Sequence, residues 1–301
     1  MKNKSLILWA RQISLPASTR FAHGPVVGAM GILGLALWLS PAARAQTILG
    51  STGDYAVMAG STVTATTPMI TGNLGVQGTL TDGGITFVST GTVVHPLNGT
   101  DVADFNKAFT GLNNMTLTQD LGAKNLGTDL GAITLLPGVY KFTGAAALTG
   151  HLILDANSQS NAVWVFQIPG TFNTSALSSV TVSNALGDSI ANYGVFWAVT
   201  GATVFGANTT FEGNLLDGST IGFGAGVHID NGRALTATGT IGLTADIINF
   251  IGPNSGYSGG LTFAGDGTTI TAVPEPAATS VLMAGFLSLI VGVRRFRRHN
   301  C

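Results

Sequence analysis

The chain has one cysteine, and it is the last residue, Cys301. A body without thiols has no disulfide, no thiolate metal site and no cysteine nucleophile. Charge is equally scarce: Asp, Glu, Lys and Arg together make up 9% of the 301 residues. The cations are also segregated. Lys2, Lys4, Arg11, Arg20 and Arg44 precede residue 46, and Arg294, Arg295, Arg297 and Arg298 close the chain. Only Lys107, Lys124, Lys141 and Arg233 lie between, against every acid of the chain except Glu275. Such an acidic body lacks the basic patch that phosphate neutralisation requires, which argues against nucleic acid as a partner.

The clusters that carry catalysis are missing as well. His95, His151 and His228 are scattered without ligand spacing, so no metal site is expected. Gly222-Phe223-Gly224-Ala225-Gly226 lacks the spacing and βαβ context of a dinucleotide loop. Gly256-Tyr257-Ser258-Gly259-Gly260 fits the G-x-S-x-G pattern. It sits in a polar Gly/Ser stretch, however, without the strand and helix that a nucleophile elbow needs. No calcium loop of the D-x-D-x-D-G kind occurs. The expectation is a binding module and not an enzyme, with no catalytic residue, no metal and no cofactor.

Glycine is abundant instead, with 42 copies, and 45% of residues are hydrophobic. Low charge with high apolar content excludes a disordered chain. Short alternating stretches, among them Leu148–Asp155, Ala162–Ile168, Val195–Val199, Thr209–Leu216 and Thr238–Leu243, are punctuated by Gly, Asn or Asp. They recur about every 10 to 18 residues, as short strands joined by tight turns do. The lack of a long central strand and the small residues at the turns favour stacked coils over a sandwich. One segment differs. Leu97–Met115 places Val102, Phe105, Phe109 and Leu112 at helical spacing, with Asp101 and Asp104 in the first turn. A single amphipathic helix packed beside the coils is expected, its stripe being core.

Both ends read as addresses. An apolar run at 26–39 follows a basic stretch and precedes Ala43-Arg44-Ala45, the pattern of a cleaved secretory signal peptide over 1–45. At the other end Pro274-Glu275-Pro276 precedes an apolar segment, Ala277 to Val293, and then Arg294-Arg295-Phe296-Arg297-Arg298. This segment, at the lower limit for a spanning helix, predicts membrane anchoring with the Arg cluster on the cytoplasmic side. The tail over 273–301 resembles the PEP-CTERM sorting signal of Gram-negative bacteria. That resemblance implies recognition by an exosortase and removal of the tail, which makes the membrane anchoring transient, with release to the cell surface or an exopolysaccharide matrix. Pro253–Ala272, rich in Gly, Ser and Thr, reads as a flexible linker.

The body over 46–252 carries a second resemblance. Ile48-Leu49-Gly50-Ser51 with Tyr55 to Thr64, Thr71 to Val76, Leu136 to Tyr140, Leu148-Thr149-Gly150, Asn161 to Gln167, Val195-Phe196-Trp197, Thr209 to Asn214 and Gly232-Arg233-Ala234-Leu235 resemble, in order, the DUF3494 ice-binding proteins. The resemblance implies an all-β, discontinuous right-handed β-solenoid of triangular section with one α-helix packed alongside. It also implies adsorption to ice and its ordered water through one flat solenoid face.

Period-2 alternation selects candidates for that face. With Phe211, Ile221, Ile229, Ile241 and Leu243 inward, Thr210, Glu212, Thr220, His228, Asp230 and Thr240 point outward. The family's Thr-(Ala/Gly)-x-(Thr/Asn) motif matches Thr64 to Thr67 and Thr200 to Thr203, adding Thr64, Thr67, Thr200 and Thr203. Thr210, Thr220 and Thr240 are expected along one side, with Glu212, His228 and Asp230 nearby as charged intruders. A structural or adhesive role in the exopolysaccharide matrix is the alternative. Trp164 and Trp197 lie in apolar strands and are expected in the core, and Arg233 is expected to cap carbonyls or to pair with an acid such as Asp230.

Overall fold

The computed structural model describes residues 48–89, 91–127, 133–186, 193–250 and 260–272. The signal peptide over 1–45, the sorting tail over 273–301 and all but the last residue of the Gly256–Gly260 pattern lie outside these residues.

The chain winds into coils, each laying one short strand on each of three faces. One face is an eight-stranded parallel sheet. Its order is Leu80–Gly83, Val63–Thr66, Ile241–Thr244, Ile221–Phe223, Thr203–Phe205, Phe172–Thr174, Ala146–Leu148 and Asn125–Leu126. The other two faces are the limbs of one larger parallel sheet, because Thr210–Asp217 and His228–Thr236 each bend through a corner and serve both. At Gly213 the first of these bends with φ 104°, a conformation open to glycine and costly for other residues.

The order of strands is not the order of the chain. Tyr55–Ala59 pairs with His228–Thr236 on one side and Asn73–Val76 on the other. Val63–Thr66 likewise sits between Ile241–Thr244 and Leu80–Gly83. The first coils therefore close onto the last one, while Gln119–Gly122, Asn125–Leu126 and Ile133–Leu135 form the far end of the stack. This is the expected discontinuity.

Parallel strands are usually covered on both sides; here the inner side is covered throughout and the outer side on one face. Inside, the strands bury an aromatic column in which Trp197 is the hub: Phe166, Phe172 and Phe211 have centroids 3.9, 5.2 and 5.0 Å from its ring. Trp164 and Trp197 are fully buried, each with its indole N–H donated to a carbonyl, those of Leu135 and Glu212. Outside, one face is covered by the helix Gly99–Asn113, which packs Phe105, Ala108 and Leu112 against Val165, Phe196 and Leu216. A capping box between Asn98 and Asp101 starts the helix. Gln167 reaches from the sheet to donate to the Leu112 and Met115 carbonyls at its end.

Residues 260–272 depart from the linker reading. Leu261–Phe263 and Ile270–Ala272 pair as an antiparallel hairpin whose Leu261 and Ile270 are buried in the helix cluster. Gly111 makes room for it: a Cβ there would stand 2.6 Å from Ile270 Cδ1. Lys107 Nζ lies 4.1 Å from the Phe263 ring centroid. Two apolar anchors spaced by polar turn residues are enough to dock a segment whose composition reads as linker.

Candidate functional site

The eight-stranded face is open, and its outward columns carry no charge; Asp82, on its edge strand, accepts from Gly84 N and Ile85 N. Its strands keep Phe172, Ile221, Ile241 and Val63 inward, so alternate residues stand outward. Backbone bonds thread an outer column just ahead of the strands: Thr171, Ala202, Thr220, Thr240, Thr62 and Thr79. The bonds that link it run from Phe172 N to Ala202 O, Thr203 N to Thr220 O, Ile221 N to Thr240 O, Ile241 N to Thr62 O and Val63 N to Thr79 O, each 2.8–3.0 Å. A second column follows the strand register through Asn173, Val204, Gly222, Gly242, Thr64 and Thr81. Thr244 and Thr66, paired, continue the array outward. Along each column neighbours are about 4.7–4.9 Å apart, and along each strand outward residues repeat at about 6.6 Å. The side chains are hydroxyl, amide or aliphatic, and Thr240 Oγ1 lies 3.4 Å from Thr220 Oγ1.

Of the residues singled out from sequence, Thr64, Thr220 and Thr240 stand on this face. Thr67 and Thr200 are exposed at its two corners, Thr67 with φ 51°. Thr203 does not belong to it: its side chain is fully buried and donates to Asp217 Oδ2. Thr210 is on a different face, in register with Ser179 and His228. Grouping Thr210 with Thr220 and Thr240 is thus corrected, and the charged intruders go with it. His228 and Asp230 share the Thr210 face, together with His151 and Asp155. Glu212, expected outward, is only 7% exposed, at the corner that closes over it. The sequence reading missed Thr62, Thr79 and Thr171, although a signal was there: each follows Ser or Gly at a corner, as do Thr220 and Thr240.

The corners flanking the central strands hold buried carboxylates. Asp217 accepts from Ser219 N and the Thr203 hydroxyl where the chain turns onto the threonine face. Asp246 accepts from Thr244 N and Val227 N where it leaves. Glu212 accepts from the Tyr193 hydroxyl and Asn231 Nδ2, at 2.8 and 2.9 Å. Burial pushes Glu212 and Asp217 up to about 7 and Asp246 to about 6, against the pull of those donors. Each folded value exceeds the unfolded one, so the folded state holds extra protons between about pH 4 and 7. The stability they confer is full at the acid end and is lost as pH rises through 6 to 7. One unit of net shift corresponds to about 1.4 kcal/mol. The melting temperature is therefore expected to fall by more than about 2 °C between pH 5 and pH 8, as calorimetry would show. A flat or rising profile over that range would contradict the assignment.

Among the described residues no three His, Cys, Asp or Glu side chains come together to hold a metal ion. The large hydrophobic side chains exposed there are Met, Val and Leu, among them Met69, Val204 and Leu177, while Phe87, Phe109, Phe223 and Phe263 are half-buried.

Comparison with known proteins gives a consistent picture. The profile of a family described as ice-binding-like matches residues 45–249. An ice-binding protein of Nostoc sp. (strain HG1) is 34% identical over 266 residues, covering 85% of this chain and 90% of the relative. One of Flavobacterium frigoris (strain PS1) is 30% identical over 145 residues, or 46% of this chain and 50% of the relative. Among solved structures, an ice binding protein from an Antarctic biological consortium superposes with a TM-score of 0.59 at 26% identity, over 68% of this chain and 91% of the other. That of the Antarctic ascomycete Antarctomyces psychrotrophicus gives 0.57 at 27% identity, over 68% and 98%.

Proposed function

Because the chain belongs to the ice-binding-like family, we propose that it adsorbs to ice through the threonine face. The observation that carries this reading is the uncharged array itself, two registered columns of mostly hydroxyl and small side chains on a parallel sheet. Each threonine hydroxyl anchors a water while its methyl group orders the waters beside it. The stiff χ1 of threonine means that little side-chain freedom is lost on docking. Charged groups would hold water in their own geometry, and the columns contain none. The helix face is covered, and the remaining face carries His151, Asp155, His228 and Asp230. Adsorption is the sum of many weak contacts, without catalysis, metal or cofactor.

Export precedes this activity. The Ala43-Arg44-Ala45 site supports removal of 1–45, leaving a body over 46–252. Pro274-Glu275-Pro276 and the cluster beginning Arg294-Arg295 support transient membrane anchoring and processing of the tail by an exosortase. The destination is the cell surface or extracellular matrix of a Gram-negative bacterium.

The test is thermal hysteresis and recrystallisation inhibition by the purified chain. A freezing gap with faceted crystals is expected. Folded protein that leaves ice growth unchanged would overturn the reading and turn attention to exopolysaccharide as the ligand.

A further inference from the structure

The threonine array is drawn from distant parts of the chain. Thr62, Thr64 and Thr66 come from the first coils, and Thr220, Thr240 and Thr244 from the last two. They become neighbours only where Val63–Thr66 pairs with Ile241–Thr244. Backbone ladders alone define this junction weakly. A slip of two residues keeps every side chain on its own side and leaves an equivalent ladder. Something must fix the register.

Besides the apolar side chains packed across it, Arg233 and Phe250 tie the two sides of the junction together. Arg233, 4% exposed, donates from Nε and Nη2 to the carbonyl of Gly53, at 3.2 and 3.1 Å, across 180 residues of sequence. From Nη1 it also donates to Asn214 Oδ1 on the preceding coil. Its guanidinium carbon lies 4.3 Å from the centroid of Phe250, and that ring covers Gly72 of the first coils so closely that no Cβ would fit there. The turn carrying Gly53 is held from its other side by the helix. Ser51 N and Oγ donate to Asp104 Oδ2, and the Tyr55 hydroxyl donates to Asp101 Oδ2. The planar fork of an arginine suits this double attachment, which a single ammonium would not span.

We propose that Arg233 is a positioning residue of the ice-binding face. Its guanidinium latches the first coil in register on the last, and so aligns threonines from the two ends of the chain into one array. The proposal rests on the ice-binding reading. Arg233 touches no ice; it acts through the junction, some distance from the surface that binds.

The test compares the purified chain with Arg233→Met, alone and combined with Thr71→Cys and Asn249→Cys, all with Cys301→Ser. Thr71 and Asn249 are register partners across the same junction, on the face away from the threonine array. Neighbouring parallel strands bring Cα atoms within disulfide reach. Arg233→Met is expected to lose thermal hysteresis. Amide exchange should rise in 55–71 and 241–249 while Ala162–Ile168 and Tyr193–Val199 stay protected. Closing the disulfide should restore both the hysteresis and the protection. Unchanged hysteresis in Arg233→Met, or a loss that the closed disulfide leaves in place, would overturn the proposal. Where Arg233→Met does not fold, Arg233→Lys takes its place in the same comparison. If the unsubstituted chain shows no hysteresis, the ice-binding reading fails by itself. The exchange pattern then decides the latch, and unaltered protection over 55–71 overturns it.

Discussion

Thr220→Tyr is expected to abolish thermal hysteresis, while Thr181→Tyr leaves it at the level of the unsubstituted chain. Both positions are exposed strand or strand-flanking threonines, and tyrosine is a good strand residue. Neither change is expected to move stability by more than about 0.5 kcal/mol, so circular dichroism should be the same for both. What differs is the surface. Thr220 lies in the outer column between Ala202 and Thr240. A ring there stands above the array and holds the lattice off its neighbours on both sides. Thr181 is in register with Ile153, on the face that also carries His151 and Asp155. A freezing-point measurement at matched concentrations decides between the faces. The reverse outcome, loss with Thr181→Tyr and retention with Thr220→Tyr, would move the ice site to the histidine-bearing face.

The largest effect on stability is expected at Trp197. It has no exposed surface, stacks on Phe166 at 3.9 Å, meets Phe172 and Phe211, and donates its indole N–H to the Glu212 carbonyl. Trp197→Ala removes the hub of the aromatic column and leaves that carbonyl without its indole donor. Truncations of this kind cost about 3–5 kcal/mol, equivalent to a fall in melting temperature of about 6–20 °C in a domain of this size. Trp197→Phe keeps most of the stack and should fall much less. Thermal denaturation followed by circular dichroism measures both. A loss below about 1 kcal/mol for the alanine variant would mean that the column repacks around the gap.

The strands were readable because short apolar runs are punctuated by Gly, Asn and Asp. Alternation holds on the open face, as in Val63–Thr66, and is absent from strands buried on both sides, as in Tyr193–Val199. The helix was readable because Val102, Phe105, Phe109 and Leu112 recur at its own period. The face assignment failed at the corners. Thr210–Asp217 continues through a bend at Gly213, so parity counted on one limb does not identify the face reached on the next. Thr210 and Thr220 share parity and stand on different sides of a corner. Glu212 failed for a related reason: a residue beside a bend is covered by the neighbouring turn, here through Asn231 and Tyr193. Thr203 was chosen on a motif where alternation with Phe205 already pointed it inward. Arg233 was expected to cap carbonyls or to pair with an acid such as Asp230; it does donate to a carbonyl, that of Gly53, and nothing local in the sequence indicates a bond across that distance.

The closure of the first coils onto the last has a consequence for how the molecule comes into being. Synthesis delivers Tyr55–Ala59, Val63–Thr66 and Met69–Thr71 early, yet one edge of all three waits for residues 233–249. Until those residues arrive, that edge presents unpaired amides and carbonyls, open to any stray strand. A continuous repeat array shortened by one unit is a slightly smaller array. A chain stopped before residue 233 is instead left with two stacks and no joint, so the last coil to be made decides whether the first one was worth folding.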